Sequence, residues 1–295
     1  MRRQIIVFFV SLLCLALPPA WGADRGALFK VSAYGHTMYL FGTMHVGKPE
    51  FYPLEPRIAD AIKGASTLAL EIDPAQEASV ATQALRNYGM SAPGTTRQAL
   101  APAMRLRYDR VLAMAGVDPE VVASLKPWLA ATVLAMSEYA RLGYRADLAV
   151  DAHVAQLARA SKVKIVGLES AGSQMELFGR LSQAEQIGFL EESITLMESG
   201  KQVAEVNKIA NAWRTADQAA FDEIAARASS DTSVSGKFVR TVLLEERNYG
   251  LTEKLAQLLE REAHTVAAIG VLHLIGMNSV PSLLGERGFS VERVY

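Results

Sequence analysis

Four short apolar runs in this chain each stop on a side chain that can bind a metal or move a proton. Two finish in Gly-x-x-His, at residues 42–45 and 270–273, and two finish in Leu-Glu, at Leu70-Glu71 and Leu168-Glu169. Long alanine- and leucine-rich stretches separate the second run from the third and the third from the fourth, so strands alternate with helical material and the class is α/β. In open α/β sheets the carboxyl ends of strands border the ligand crevice, where polar side chains can converge without entering the core. The glycine ahead of each histidine lets the backbone turn sharply or approach a ligand closely.

Around these runs the chain reads in order. Residues 28–34 and 37–42 are expected to be strands of a tight hairpin turning at Gly35 and His36. A short helix over 57–63 and a buried strand over 66–72 follow, the latter ending at Glu71, Asp73 and Pro74. Residues 75–159 show helical spacing, broken at Pro93-Gly94, Pro102, Asp118-Pro119 and Pro127. A strand over 163–168 stops at Glu169. A second helical block over 173–261 carries a turn-rich interruption at 229–236. A strand over 264–269, a helix over 276–284 and a terminal strand over 289–294 complete the order. No Pro/Ser linker divides the chain, so residues 23–295 are read as one α/β domain with helical insertions.

The 295 residues, half of them apolar and 21% charged, are enough to bury a large core. A formal charge of -1 with acids and bases interspersed gives no basic face for nucleic acid. Arg2 and Arg3 precede an apolar run over 5–17, followed by Pro18, Pro19 and the small residues Ala20, Gly22 and Ala23, the order of a secretory signal peptide. Cleavage after Gly22 puts small residues at both required positions, whereas cleavage after Ala23 puts Trp21 at one. The run is shorter than the ~20 residues that span a bilayer. The expectation is a periplasmic protein with no membrane contact once residues 1–22 are removed. Cys14 is the single cysteine and lies in that run, so the mature chain would lack disulfides, thiol catalysis and thiolate-bound zinc.

Two imidazoles and a carboxylate suit zinc, manganese or cobalt and leave coordination positions open. Such a metal acidifies its water and polarises a carbonyl, while a second carboxylate serves as general base, so hydrolysis follows. The competing reading of each histidine is a hydrogen-bonded structural residue. His153 beside Asp151 reads as a helix-surface pair, His36 as a turn residue, His264 as a strand start, and Trp128 and the methionines as core packing.

The segments YLFGTMHVG at 39–47, LALEID at 68–73, GLES at 167–170 with Gln174, ERN at 246–248 and IGVLHLIG at 269–276 resemble, in that order, the TraB/GumN family. That family is related to the Tiki metalloproteases and more distantly to erythromycin-esterase-like and ChaN-like proteins. The resemblance implies a mixed central sheet with surrounding helices. For the Tiki branch it implies a divalent-metal peptidase built on the paired Gly-x-x-His motifs and a glutamate. His45 and His273 are then the ligands, with Glu71 as third ligand or base. Arg247 and Asn248 match the family's Arg-Asn pair, suited to stabilising an oxyanion or orienting a carboxylate; the plainer reading is a surface Glu-Arg pair. Glu169 matches a family position that holds Arg247 or a histidine, and Asp151 an acidic position behind the ligands. Three functions are open: a metallohydrolase for peptides or other amides and esters, a non-catalytic protein binding haem, metal or another small molecule, and a metal-free esterase-like hydrolase using His and Glu71. The paired histidines favour the first, with the substrate in the strand-end cleft.

Overall fold

A computed structural model describes residues 25–73, 75 and 78–295; the expected export signal, with Cys14, lies outside the described residues. Six strands form one sheet: β1 (Leu28–Ala33), β2 (His36–Thr43), β3 (Thr67–Leu70), β4 (Lys164–Gly167), β5 (His264–Gly270) and β6 (Ser290–Arg293), in the order β4-β3-β5-β2-β1-β6. β4, β3, β5 and β2 are mutually parallel, while β1 runs antiparallel to β2 and β6. The mixed sheet expected from the family resemblance is what the chain forms. β3 is buried throughout and β5 beyond His264, which is why these runs read as continuous apolar segments instead of alternating ones.

Register positions the site. Gly42 pairs with Ile269 and Thr43 with Gly270, so both Gly-x-x-His segments leave neighbouring parallel strands at nearly the same level. Leu70 pairs with both Ala268 and Gly167, which brings Glu71 and Glu169 out at that level too. At the opposite end, Tyr34 (φ 54°) and Gly35 (φ 78°) make the β1–β2 turn. Two successive positive φ values match the right-handed strand twist and close a two-residue hairpin. His36 is therefore not a turn residue: it opens β2, and its Nδ1 lies 2.7 Å from the Leu259 carbonyl.

Two helix pairs cover the sheet. Pro56–Gly64 packs with Val150–Ala160 against β2, β3 and β5, and Arg247–Arg261 packs with Val280–Glu286 along β1, β2, β5 and β6. Pro56 sits in the first helical turn and the Glu55 carboxylate caps the Arg57 and Ile58 amides. Of the remaining helices, Pro102–Ala115, Pro127–Arg141 and Gln183–Glu198 build a separate core, in which Tyr108, Val111, Leu134, Leu190 and Ile194 are buried together. Pro102, Pro119 and Pro127 each open a helix, as the sequence breaks predict. Trp128 is buried against Phe178, ring centroids 4.4 Å apart. Lys201–Thr215 joins this layer to the sheet: Trp213 is fully buried in the sheet core and its indole N–H donates to the Gly42 carbonyl at 2.8 Å.

Two expectations change. The helix expected over 276–284 begins at Val280, because Gly276 turns with φ 85° and Ser279 caps the Ser282 amide. Within the second helical block, Val239–Glu246 is wound as a π-helix running straight into Arg247. No helix among the described residues is long and apolar enough to cross a membrane.

Candidate functional site

His45 lies just past β2 on a loop laced to the start of the Val150–Ala160 helix. Gly47 and Arg145 exchange backbone hydrogen bonds of 2.9 and 2.8 Å, and the Val150 amide donates to the Met44 carbonyl at 2.8 Å. A Cβ at Gly47 would fall 1.8 Å from the Leu148 carbonyl oxygen, so only glycine permits this approach. The contact delivers Asp151, whose Oδ2 lies 3.0 Å from His45 Nδ1. Asp151 is thus the partner of His45, not of its neighbour His153, whose ring packs on Tyr52 at 4.3 Å between centroids.

His273 stands in the short Val271–Leu274 turn after β5 and is buried. Its Nδ1 lies 2.6 Å from Asn248 Oδ1, and the Asn248 amide nitrogen donates onward to the Asn278 carbonyl at 2.7 Å. Both imidazoles therefore present Nδ1 to an oxygen acceptor, which assigns the proton to Nδ1 and leaves Nε2 as the lone-pair atom of each neutral ring.

Glu71 connects the two halves. Its Oε1 accepts the Gly270 amide at 2.6 Å and lies 3.9 Å from His273 Nε2. Its Oε2 accepts from Arg247 Nη2 at 2.5 Å and from Gln174 Nε2 at 3.2 Å. Glu169 takes Arg247 Nη2 at 2.6 Å and Gln174 at 2.9 Å. Arg247 Nη1 donates to the Leu243 carbonyl at 3.0 Å. Of the two roles open to Arg247, its guanidinium is occupied in orienting carboxylates; the exposed surface pair is made next door, by Glu246 with Arg180. Gln174 joins Glu71 to Glu169 and belongs in the site. Its signal in the sequence was its place in the first turn of the Ser170-capped helix that follows Glu169.

The three central residues face one spot. A Cβ at Gly270 would lie 3.1 Å from Glu71 Oε1, 3.5 Å from His45 Nε2 and 3.7 Å from His273 Cδ2. A cavity of about 150 Å³ lined by Thr43, His45, Glu71, Asp151 and Gln174 opens beside it. A larger cavity, about 410 Å³, lies beyond Asn248 among Ile209, Ile224, Leu272 and Met277, with neither histidine in its wall, so size does not mark the polar site.

Charge is tightly arranged. Burial opposes ionisation of Glu71, but the imidazoles of His273 and His45, the Arg247 guanidinium and the Gly270 amide outweigh it and hold the carboxyl at about 2. Burial dominates at His273 and, with the charges of Arg247 and His45, takes it down to about 4 despite Glu71 and Glu169. A neutral His273 lends Glu71 little charge near pH 7, so the raised His45 imidazole, Arg247 and the Gly270 amide are its stabilisers there. At His45 burial acts downward, yet the Asp151 hydrogen bond and the charges of Glu71 and Asp151 raise it to about 9. The His45 side chain is 64% exposed, so water moderates that rise.

Among the described residues, no three His, Cys, Asp or Glu side chains stand close enough together to hold a metal ion as they are placed. The donor set nonetheless suits a divalent cation. Both Nδ1 atoms are held by oxygen acceptors, the arrangement that orients ligating imidazoles. Glu71 and Glu169 share the single guanidinium of Arg247, and Asp151 pairs with His45, so three carboxylates gather around one guanidinium at the site. The space over Gly270 that a Cβ would fill is bordered by Glu71 Oε1, His45 Nε2 and the Cδ2 edge of His273.

The chain is similar to the uncharacterized protein YbaP of Escherichia coli (strain K12), 22% identical over 273 residues that cover 90% of this chain and 96% of that protein. YbaP of Shigella flexneri matches with the same identity and coverage. No solved structure matches the chain. The TraB/PrgY/gumN family profile matches residues 27–293, nearly the whole described chain and every strand of the sheet, and the protein belongs to that family.

Proposed function

We propose that this chain is a divalent-metal-dependent hydrolase of peptide or other amide or ester bonds, with His45, His273 and Glu71 holding manganese, cobalt or zinc. The observation that carries this reading is the meeting of two Nδ1-anchored imidazoles and Glu71 Oε1 over the bare face of Gly270. When bound, the cation supplies an acidified water and a polarised carbonyl. The chain's own residues do the rest. Asp151 and Asn248 fix the tautomers, Arg247 and the Gly270 amide keep Glu71 ionised as third ligand or general base, and Gln174 ties Glu71 to Glu169. The same reading takes the first 22 residues as an export signal and the periplasm as the site of action; recovery of a chain starting at Ala23 from the periplasmic fraction tests it.

The decisive experiment is elemental analysis of the purified protein beside a His45→Ala/His273→Ala double variant. Near-stoichiometric metal in the wild type, lost in the variant, is the expected result. No uptake by either after incubation with manganese, cobalt and zinc sinks the metal reading. A metal-free hydrolase is the second reading, favoured by a His273 that is neutral near pH 7 and 3.9 Å from an ionised Glu71. Hydrolysis that survives exhaustive chelation selects it. A haem- or ligand-binding role has less support, because the roughly 150 Å³ beside the histidines is below the ~300–1,000 Å³ that encloses a drug-sized ligand.

A further inference from the structure

Two residues lining the cavity beside His45 and Glu71 carry buried polar atoms with no hydrogen-bond partner: Thr43 Oγ1 and Asp151 Oδ1. Thr43 is 1% exposed, the last residue of β2, and pairs in register with Gly270. Asp151 reaches the same cavity from the Val150–Ala160 helix, with its other oxygen taken by His45 Nδ1. Buried hydroxyls and carboxylate oxygens are ordinarily satisfied, so two such atoms on residues that line one cavity suit a shared polar guest. Its chemistry follows from theirs. A carboxylate oxygen takes a donor or a cation, whereas a hydroxyl both donates and accepts, so a guest that donates to Asp151 and accepts from Thr43 serves both. A carbonyl or carboxylate cannot serve Asp151. Water fits, and about 150 Å³ leaves room for it beside other atoms at about 30 Å³ per molecule.

We propose that Thr43 Oγ1 and Asp151 Oδ1 together hold one ordered water in this cavity, and that Thr43 is a positioning residue that keeps it beside His45 and Glu71. The positioning half rests on the hydrolase reading above; the water site does not. The test compares crystal structures of the wild type, Thr43→Val and Thr43→Ser at a resolution that shows ordered water. Valine keeps the branched shape without the hydroxyl, and serine keeps the hydroxyl. An oxygen within hydrogen-bond distance of both atoms in the wild type and the serine variant, and missing with valine, is the expected result. An empty position in the wild type, or an oxygen unmoved by valine, overturns the proposal, and the wild type and serine variant decide it even if the valine variant does not fold. Turnover of a fluorogenic peptide library supplies the second readout. Thr43→Val should lower kcat by on the order of tenfold or more with KM little changed, and serine should restore most of it. An unchanged kcat overturns the positioning role. A wild type with no hydrolysis under any metal removes the hydrolase reading and that role with it, while the water site is still decided by the density.

Discussion

Arg247 touches two buried carboxylates and a backbone carbonyl, and it is itself only 12% exposed on its side chain. Removing one partner from such a group leaves the others charged and desolvated. Arg247→Gln is therefore expected to destabilise the fold by roughly 3–5 kcal/mol in denaturant titrations. Arg247→Lys should recover little of that, since a point charge cannot replace the planar fork. A loss under about 1 kcal/mol for the glutamine variant would mean that water already solvates the acids. His273 gives a pH signature in the metal-free protein. Its folded value, about 4, lies below its ordinary 6.5, so the unfolded chain takes the proton first and stability falls as pH drops from 6.5 toward 4. Glu71 adds a second acid limb, present above its ordinary 4.5 and lost toward 2. The raised value of His45 adds a shallow alkaline limb, full below 6.5 and lost as pH rises through about 9. His273→Gln should flatten melting temperature between pH 6.5 and 4; an unchanged slope there would assign the limb elsewhere. The site's residue types were legible in the sequence as strand endings. Their pairing was not, because Asp151 and Gln174 come from helices whose placement depends on long-range docking.

The β2–β5 register does for the elements what Arg247 does for the residues: it levels the two Gly-x-x-His segments so that one glycine's bare face meets both imidazoles. Strands were readable because buried parallel strands are continuous apolar runs, and several helix starts because proline marks them. The π-helical turn before Arg247 was not readable, since winding of Val239–Glu246 answers to packing against neighbouring helices and leaves no periodic trace. The Val280 start was missed for a different reason. Gly276, Asn278 and Ser279 carry no apolar pattern, and the left-handed turn at Gly276 with the Ser279 cap sets the boundary. Gly47 links element to site. Gly47→Ala would drive its Cβ into the Leu148 carbonyl and part the loop from the Val150–Ala160 helix. The expected outcome is a loss of about 1–3 kcal/mol and an NMR-titrated His45 pKa that falls from its raised value toward its ordinary 6.5 as Asp151 withdraws. A His45 value that stays put would show that the loop docks by some other contact.

At the scale of the whole molecule the described residues form two hydrophobic cores, one around the sheet and one among Pro102–Ala115, Pro127–Arg141 and Gln183–Glu198. Leu134 is fully buried in the second. Leu134→Ala should cost about 2–5 kcal/mol there. Hydrogen exchange should then quicken in these helices while the β2 and β5 amides keep their protection. Equal loss in both regions would mean that the two cores open as one unit. The sheet's strand order has a bearing on the sequence in which the fold can assemble. β5, the strand that joins β3 to β2, is translated after residue 263, when both of its neighbours have long been made. Until then the β1–β2 hairpin and the β3–β4 pair have no strand between them, so two halves with open hydrogen-bonding edges wait for the same late segment. A chain of this topology stays without its central seam until β5 is available, and a stop codon anywhere upstream of His264 yields a product that cannot close its sheet.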